Sequence, residues 1–161
     1  MNSALWSSEE RALFNPAFTA MVCARVVQGH AAKHGPACPL VIVMTSAVMA
    51  LQPAVRTLLP RSTSASMPKW AEDNEVVRVH MAANTRGLVG AVRPGLLFAM
   101  QTGVLVVESS ALSLRRRAIP VALPDTASEA TAIQRAAHML GRWLPTVGAT
   151  ATILTLLGVR P

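Results

Sequence analysis

The pattern of apolar and polar positions changes period several times along the chain, and each change predicts an element. Asn15-Pro16 pairs a side chain able to accept from the free N–H groups of a helix start with a proline that loses nothing at the first helical position. Around them Phe14, Phe18, Met21, Val22 and Val26 recur at spacings of three and four. That spacing predicts a helix to about Lys33, ended by Gly35-Pro36. Leu40 to Leu51 is apolar nearly all round, so this second helix is expected in the middle of the fold.

Residues 53–66 hold Pro53, Pro60 and a Ser/Thr cluster, and read as a helical turn followed by a loop and a cap; by composition the stretch resembles a linker. A short helix over Met67–Asp73 carries Trp70. A longer one from Asn74 to about Gly90 aligns Val76, Val77, His80, Met81, Asn84 and Leu88. Pro94-Gly95 is expected to break the chain there, because proline disfavours helical geometry in the residue before it, and a new helix then runs to Thr102.

After Gly103 the period shortens. Val104–Glu108 and Leu112–Arg117 flank the small residues Ser109-Ser110-Ala111, which predicts a β-hairpin. Helix, glycine and hairpin in succession are the ending of a winged-helix unit. Thr126-Ala-Ser-Glu129 reads as a capping box opening a helix in which Ala130, Ile133, Ala137 and Leu140 share a face, up to Trp143-Leu144-Pro145. Thr152 to Leu157 reads as a last short helix closed by Gly158. The expected fold class is mainly α (α+β), one domain over 1–161. It has a helical core over about 13–102, a winged-helix-like hairpin over 103–118 and a C-terminal helical segment over 126–158.

Composition sharpens this picture. With 52% apolar and 14% charged residues in 161, the chain forms a core and is not a disordered tail. A mean hydropathy of +0.39 exceeds what a monomer of this size is expected to hide, so part of the apolar surface should form an interface. Three Trp, three Phe and no Tyr leave few rings for stacking bases, which argues against broad single-strand binding. Fifteen basic against eight acidic side chains give a formal charge of +7, and thirteen of the basic residues are Arg. Such a balance admits DNA or an acidic protein face as partner, and equally an ordinary solvated surface.

Cys23 and Cys38 stand without C-x-x-C spacing, which fits a reducing cytoplasm. Glu9, Glu10 and Arg11 interrupt the N-terminal stretch where a signal peptide needs an apolar core, so secretion is not expected. The apolar run from Cys38 to Leu51 is 14 residues, short of the ~20 a membrane span requires, so no membrane partner is expected.

Candidates for chemistry are few. His30 and His34 are four apart, as in a zinc pair, but no Glu lies between them, and two helix-end histidines are the plainer reading. Glu72-Asp73-x-Glu75 is the only acidic cluster and reads as a solvated helix start. Phosphate-cradling glycine motifs and the G-x-S-x-G elbow are absent. No catalytic residue, metal or cofactor is therefore assigned. Arg115-Arg116-Arg117 is the one concentrated positive feature. On the second strand of a wing, alternation would turn two of the three to solvent and to DNA phosphates; contact with an acidic protein and simple solubility remain alternatives.

Four strings together carry a family resemblance: Leu13-Phe14-Asn15-Pro16-Ala17-Phe18, Leu58-Leu59-Pro60-Arg61-Ser62-Thr63, Arg93-Pro94-Gly95-Leu96-Leu97-Phe98 and Leu156-Leu157-Gly158-Val159-Arg160-Pro161. In order and spacing they resemble the small middle component of bacterial ABC-type three-component conflict systems, the Lamassu-like systems among them. The resemblance implies a non-enzymatic adaptor. Its partners would be an SMC-like or Rad50-like ABC ATPase and an effector protein, such as a nuclease, in defence against phage or plasmids, with DNA reached directly or through the complex. Arg61 and Ser62 are the candidate partner-binding residues, because a turn arginine beside a Ser/Thr cluster can hold a partner's carboxylate; packing of the turn is the plainer role. The alternative reading is a free-standing winged-helix DNA-binding regulator.

Overall fold

In the computed structural model, which describes residues 7–160, Asn15 caps the first long helix by accepting a hydrogen bond from the Ala17 N–H at 2.8 Å. That helix, α2 (Pro16–His34), follows a short α1 (Ser8–Leu13), and Gly35 ends it with φ 97°. Residues 1–6 and Pro161 lie outside the described residues, and with them fall the first part of the segment read against a signal peptide and the last residue of the terminal string.

Cys38–Pro39 forms β1, a two-residue strand that local pattern did not announce, because a strand this short exists only through its pairing. It leads into α3 (Leu40–Leu51), α4 (Pro53–Arg56) and α5 (Met67–Asp73). Ser66 caps α5, its hydroxyl accepting from the Lys69 N–H at 3.5 Å.

The expected break at Pro94 does not occur. Helix α6 runs unbroken over Val76–Gln101 with Pro94 inside it. Proline removes one ladder bond and crowds the preceding turn at about 3 kcal/mol or more. On both sides of it, however, Ala91, Val92, Leu96 and Ala99 are buried, and Gly95 seats the helix directly on α2. A Cβ at Gly95 would stand 2.0 Å from Thr19 Oγ1, so the two helices meet at contact distance. Burial of four side chains at ~1 to 3 kcal/mol each outweighs the proline penalty.

The hairpin follows as β2 (Leu105–Glu108) and β3 (Ala111–Leu114), with Glu108 opposite Ala111. The turn is therefore the two residues Ser109 and Ser110, both at positive φ, and Ala111 belongs to the strand. β1 pairs with β3 through Cys38 opposite Leu112, giving the antiparallel order β1-β3-β2. β3 ends at Leu114, so the expected strand through Arg117 is too long. Arg115 follows the strand, Arg116 and Arg117 form a turn with Arg117 at φ 58°, and the alternation of faces does not apply to them.

Helix α7 (Glu129–Trp143) starts two residues later than a Thr126 cap would place it. Ser128 is the cap, accepting from the Thr131 N–H at 3.1 Å, while Thr126 joins the same hydroxyl cluster through Thr131 Oγ1 at 2.7 Å. A 3₁₀ turn over Leu144–Val147 and α8 (Thr150–Leu156) complete the chain. As expected, α3 lies within the fold, largely buried between α2, α6 and α7. Helix α2 is the hub, with α3, α6 and α7 packed around it and Val22 through Val27 all buried. Among the described residues, no helix is long and apolar enough to cross a membrane.

Candidate functional site

The stretch that composition likens to a linker is a fixed loop. Trp70 on α5 and Trp143 at the end of α7 are buried against each other edge to face, with ring centroids 5.1 Å apart. Each indole then spends its single N–H on the loop. Trp70 Nε1 donates to the Leu58 carbonyl at 2.7 Å and Trp143 Nε1 to the Ala65 carbonyl at 2.8 Å. Two donors inside an apolar core thus hold both ends of the segment 58–65, because an unmet buried N–H would cost about 1 to 3 kcal/mol. A third tie sits just ahead of it: Arg56 donates to the Ala50 carbonyl at 2.7 Å and pairs with Glu129 at the start of α7.

Arg61 lies between the two indole anchors, exposed, and takes part in no hydrogen bond or ion pair with the described residues. Ser62 beside it is also exposed and is committed locally: its hydroxyl accepts from the Ser64 N–H at 3.2 Å and shares a hydrogen bond with the Ser64 hydroxyl at 2.8 Å. The loop therefore presents a free guanidinium on a backbone whose shape is already set. The two residues stand together, with Arg61 available to an outside acceptor and Ser62 engaged in holding the turn.

Arg115, Arg116 and Arg117 are all exposed, after the hairpin and on the far side of the sequence from that loop. They line an open depression with Gln28 and the segment Ala118–Val121. The arginine that sequence reading passed over is Arg25. It is buried in α2, and its guanidinium donates to Gln28 Oε1, the Pro120 carbonyl and Gln134 Oε1 at 2.8, 2.8 and 3.1 Å. Burial pulls its pKa below the ordinary value. Arg25 thus ties the segment after the arginine turn to α2 and α7. Gln28 is its neighbour on α2, but no local signal marks the tie itself, because Pro120 and Gln134 lie 95 and 109 residues away.

The histidine pair is spent on helix ends. His30 is buried and donates from Nδ1 to the Gly35 carbonyl at 2.8 Å, and His34 donates from Nε2 to the Arg142 carbonyl at 2.8 Å. Burial lowers the His30 pKa. The Cys23 and Cys38 thiols are buried and free, and burial pushes each up to about 12. Among the described residues there is no group of three His, Cys, Asp or Glu side chains placed to hold a metal ion.

A mainly helical domain with a short antiparallel sheet, and with a rigidly held loop as its most defined surface feature, is the setting in which the comparisons fall. Residues 3–161 match the family described as ABC-three component (ABC-3C) system Middle Component 3, and the chain belongs to that family. No curated protein and no solved structure matches it.

Proposed function

We propose that this chain is a non-enzymatic adaptor that binds the ABC ATPase of its three-component system and couples it to the effector protein. The setting is cytoplasmic defence against phage or plasmids, and the ATPase is of the SMC or Rad50 kind. The observation that carries the reading is the free Arg61 guanidinium on a loop fixed at both ends by indole hydrogen bonds. A side chain offered from a preset backbone loses little entropy on docking, and arginine pairs bidentately with a carboxylate. Exposed apolar side chains add contact surface, among them Leu97, Phe98, Val106 and Val107. Membership in a middle-component family supports protein partners.

The test is co-expression with the ATPase encoded beside it. Removing one partner of a desolvated interface charge pair costs about 2 to 5 kcal/mol. Arg61→Ala should therefore abolish co-purification while the thermal unfolding of the free chain stays unchanged, and Arg61→Lys should restore it only in part. A wild-type chain that remains a monomer beside the ATPase would sink the reading. Unfolding of the chain by Arg61→Ala would reassign the residue to holding the loop.

A second reading, winged-helix DNA binding, is supported by the strand order β1-β3-β2 and by three exposed arginines after the hairpin. Replacing Arg115, Arg116 and Arg117 by Ala should then weaken DNA binding and flatten its salt dependence by about one counterion per lost phosphate contact. An unchanged salt slope would leave the arginine turn to a protein partner.

A further inference from the structure

One face of α6 stays uncovered. Around its middle, Arg86, Val89, Gly90 and Arg93 fall on one stripe of the helix, facing the C-terminal residues Gly158–Arg160 across an open groove of about 620 Å³. The groove continues inward into an apolar recess of about 170 Å³, floored by Val48, Met81, Val89 and Val159. Three arginines stand around it, Arg86, Arg93 and Arg160, and among the described residues no acidic side chain lines either part. All three are exposed, and none makes a hydrogen bond or ion pair with the described residues. Elsewhere the chain does tie down its arginines where acceptors lie near: Arg25, Arg56, Arg78 and Arg135 all donate to backbone carbonyls.

An apolar floor with a purely cationic rim selects its occupant. A DNA phosphate backbone would satisfy the rim but has nothing to offer the recess. A plain apolar helix would fill the recess but leave three guanidinium groups without partners. We infer that the groove docks an acidic amphipathic helix of a partner protein, with apolar side chains entering the recess and carboxylates meeting Arg86, Arg93 and Arg160. Arg86 and Arg93 are seven residues apart, two turns or about 10.5 Å along the axis, so carboxylates seven residues apart on the incoming helix would match them. This surface is separate from the Arg61 loop in its residues, and the inference stands on the groove without the adaptor reading.

The experiment uses the full chain and a fluorescein-labelled amphipathic peptide with Leu at helical spacing and Glu seven residues apart, read by fluorescence anisotropy. Comparison peptides carry Gln for Glu, or Ser for Leu. The Glu/Leu peptide should bind and weaken with added salt, and each comparison peptide should bind roughly tenfold or more weakly. Arg86→Ala/Arg93→Ala/Arg160→Ala should weaken it by a similar factor without lowering the melting temperature, since all three side chains are exposed. Replacing Arg115, Arg116 and Arg117 should leave it unchanged.

Four outcomes overturn the inference: no binding, equal binding of the Gln peptide, indifference to the triple arginine variant, or displacement of the peptide by a DNA duplex at lower concentration than by unlabelled peptide. Self-association of the chain that is lost in the triple variant would make a second copy the occupant and overturn it too. Loss of assembly with Arg61→Ala alongside intact peptide binding would separate this groove from the Arg61 loop.

Discussion

Gly29 on α2 and Gly141 on α7 form a reciprocal contact, each lying under a backbone carbonyl of the other's helix. A Cβ at Gly29 would stand 2.0 Å from the His138 carbonyl oxygen, and one at Gly141 would stand 2.1 Å from the Val26 carbonyl oxygen. Backbone atoms inside packed helices cannot move aside as a side-chain end can, so the crossing depends on both glycines. Gly29→Ala and Gly141→Ala should each lower stability by about 2 kcal/mol or more, despite the better helix propensity of alanine. Urea denaturation would check this, and a neutral result at either position would mean that the helices separate at little cost.

Trp143→Phe keeps most of the ring in the core and removes the N–H that holds the Ala65 carbonyl. We expect a loss of about 1 to 2 kcal/mol. The change should be most visible as faster amide exchange and easier proteolysis within residues 58–66, with the rest of the core still protected. Uniform loss of protection would show that the indole supports the core as a whole.

Pro94 is exposed within α6, so its ring is not part of the buried core. Pro94→Ala should therefore stabilise the chain, by up to about 3 kcal/mol, by restoring a ladder bond without adding a contact. A rise in melting temperature is the expected reading; a fall would show that the proline shapes the helix to fit α2.

Acid should destabilise the fold through two histidines. Burial holds the His138 pKa below its ordinary value, assisted by the nearby charges of Arg142 and Arg25; for His30 burial is again the main cause, with the charge of His34 adding to it and the Gly35 carbonyl opposing it. As pH falls through the ordinary value near 6.5, the unfolded chain takes up protons that the folded chain does not. Stability should thus be full above that pH and decline below it. His138→Gln should flatten the fall in melting temperature between about pH 7 and 5. A slope unchanged by that substitution would assign the acid sensitivity to other groups.

Cys23 and Cys38 should resist alkylation by iodoacetamide at about pH 8 while the chain is folded, since burial removes both access and thiolate. Both should react at once in denaturant, as followed by intact mass. Rapid modification of either thiol in the native chain would reveal local opening around it.

What the sequence by itself determined is what neighbouring residues decide among themselves. Asn15-Pro16 opens α2, Leu40–Leu51 and Met67–Asp73 are helices over the expected spans, and two short apolar runs around small residues make a hairpin, because caps, propensity and period act over a few positions. The four short strings pointed to the family through the order of such local features. Arg61 and Ser62 were legible as turn residues, but the anchoring that makes their loop rigid was not, since it comes from Trp70 and from Trp143, the latter 78 residues from its acceptor. Tertiary structure alone decided that Pro94 stays inside a helix, where packing on α2 outweighs a local penalty, and that β3 stops before Arg115, where pairing with β1 and β2 ends. It also decided which arginines are tied and which are free: Arg25 finds the Pro120 carbonyl and Gln134, and Arg56 finds Glu129, all from distant segments, while Arg86, Arg93 and Arg160 find no such partner among the described residues. Charge and helix period are written locally, but whether a charge meets a partner depends on which segments the fold brings within about 3 Å of it.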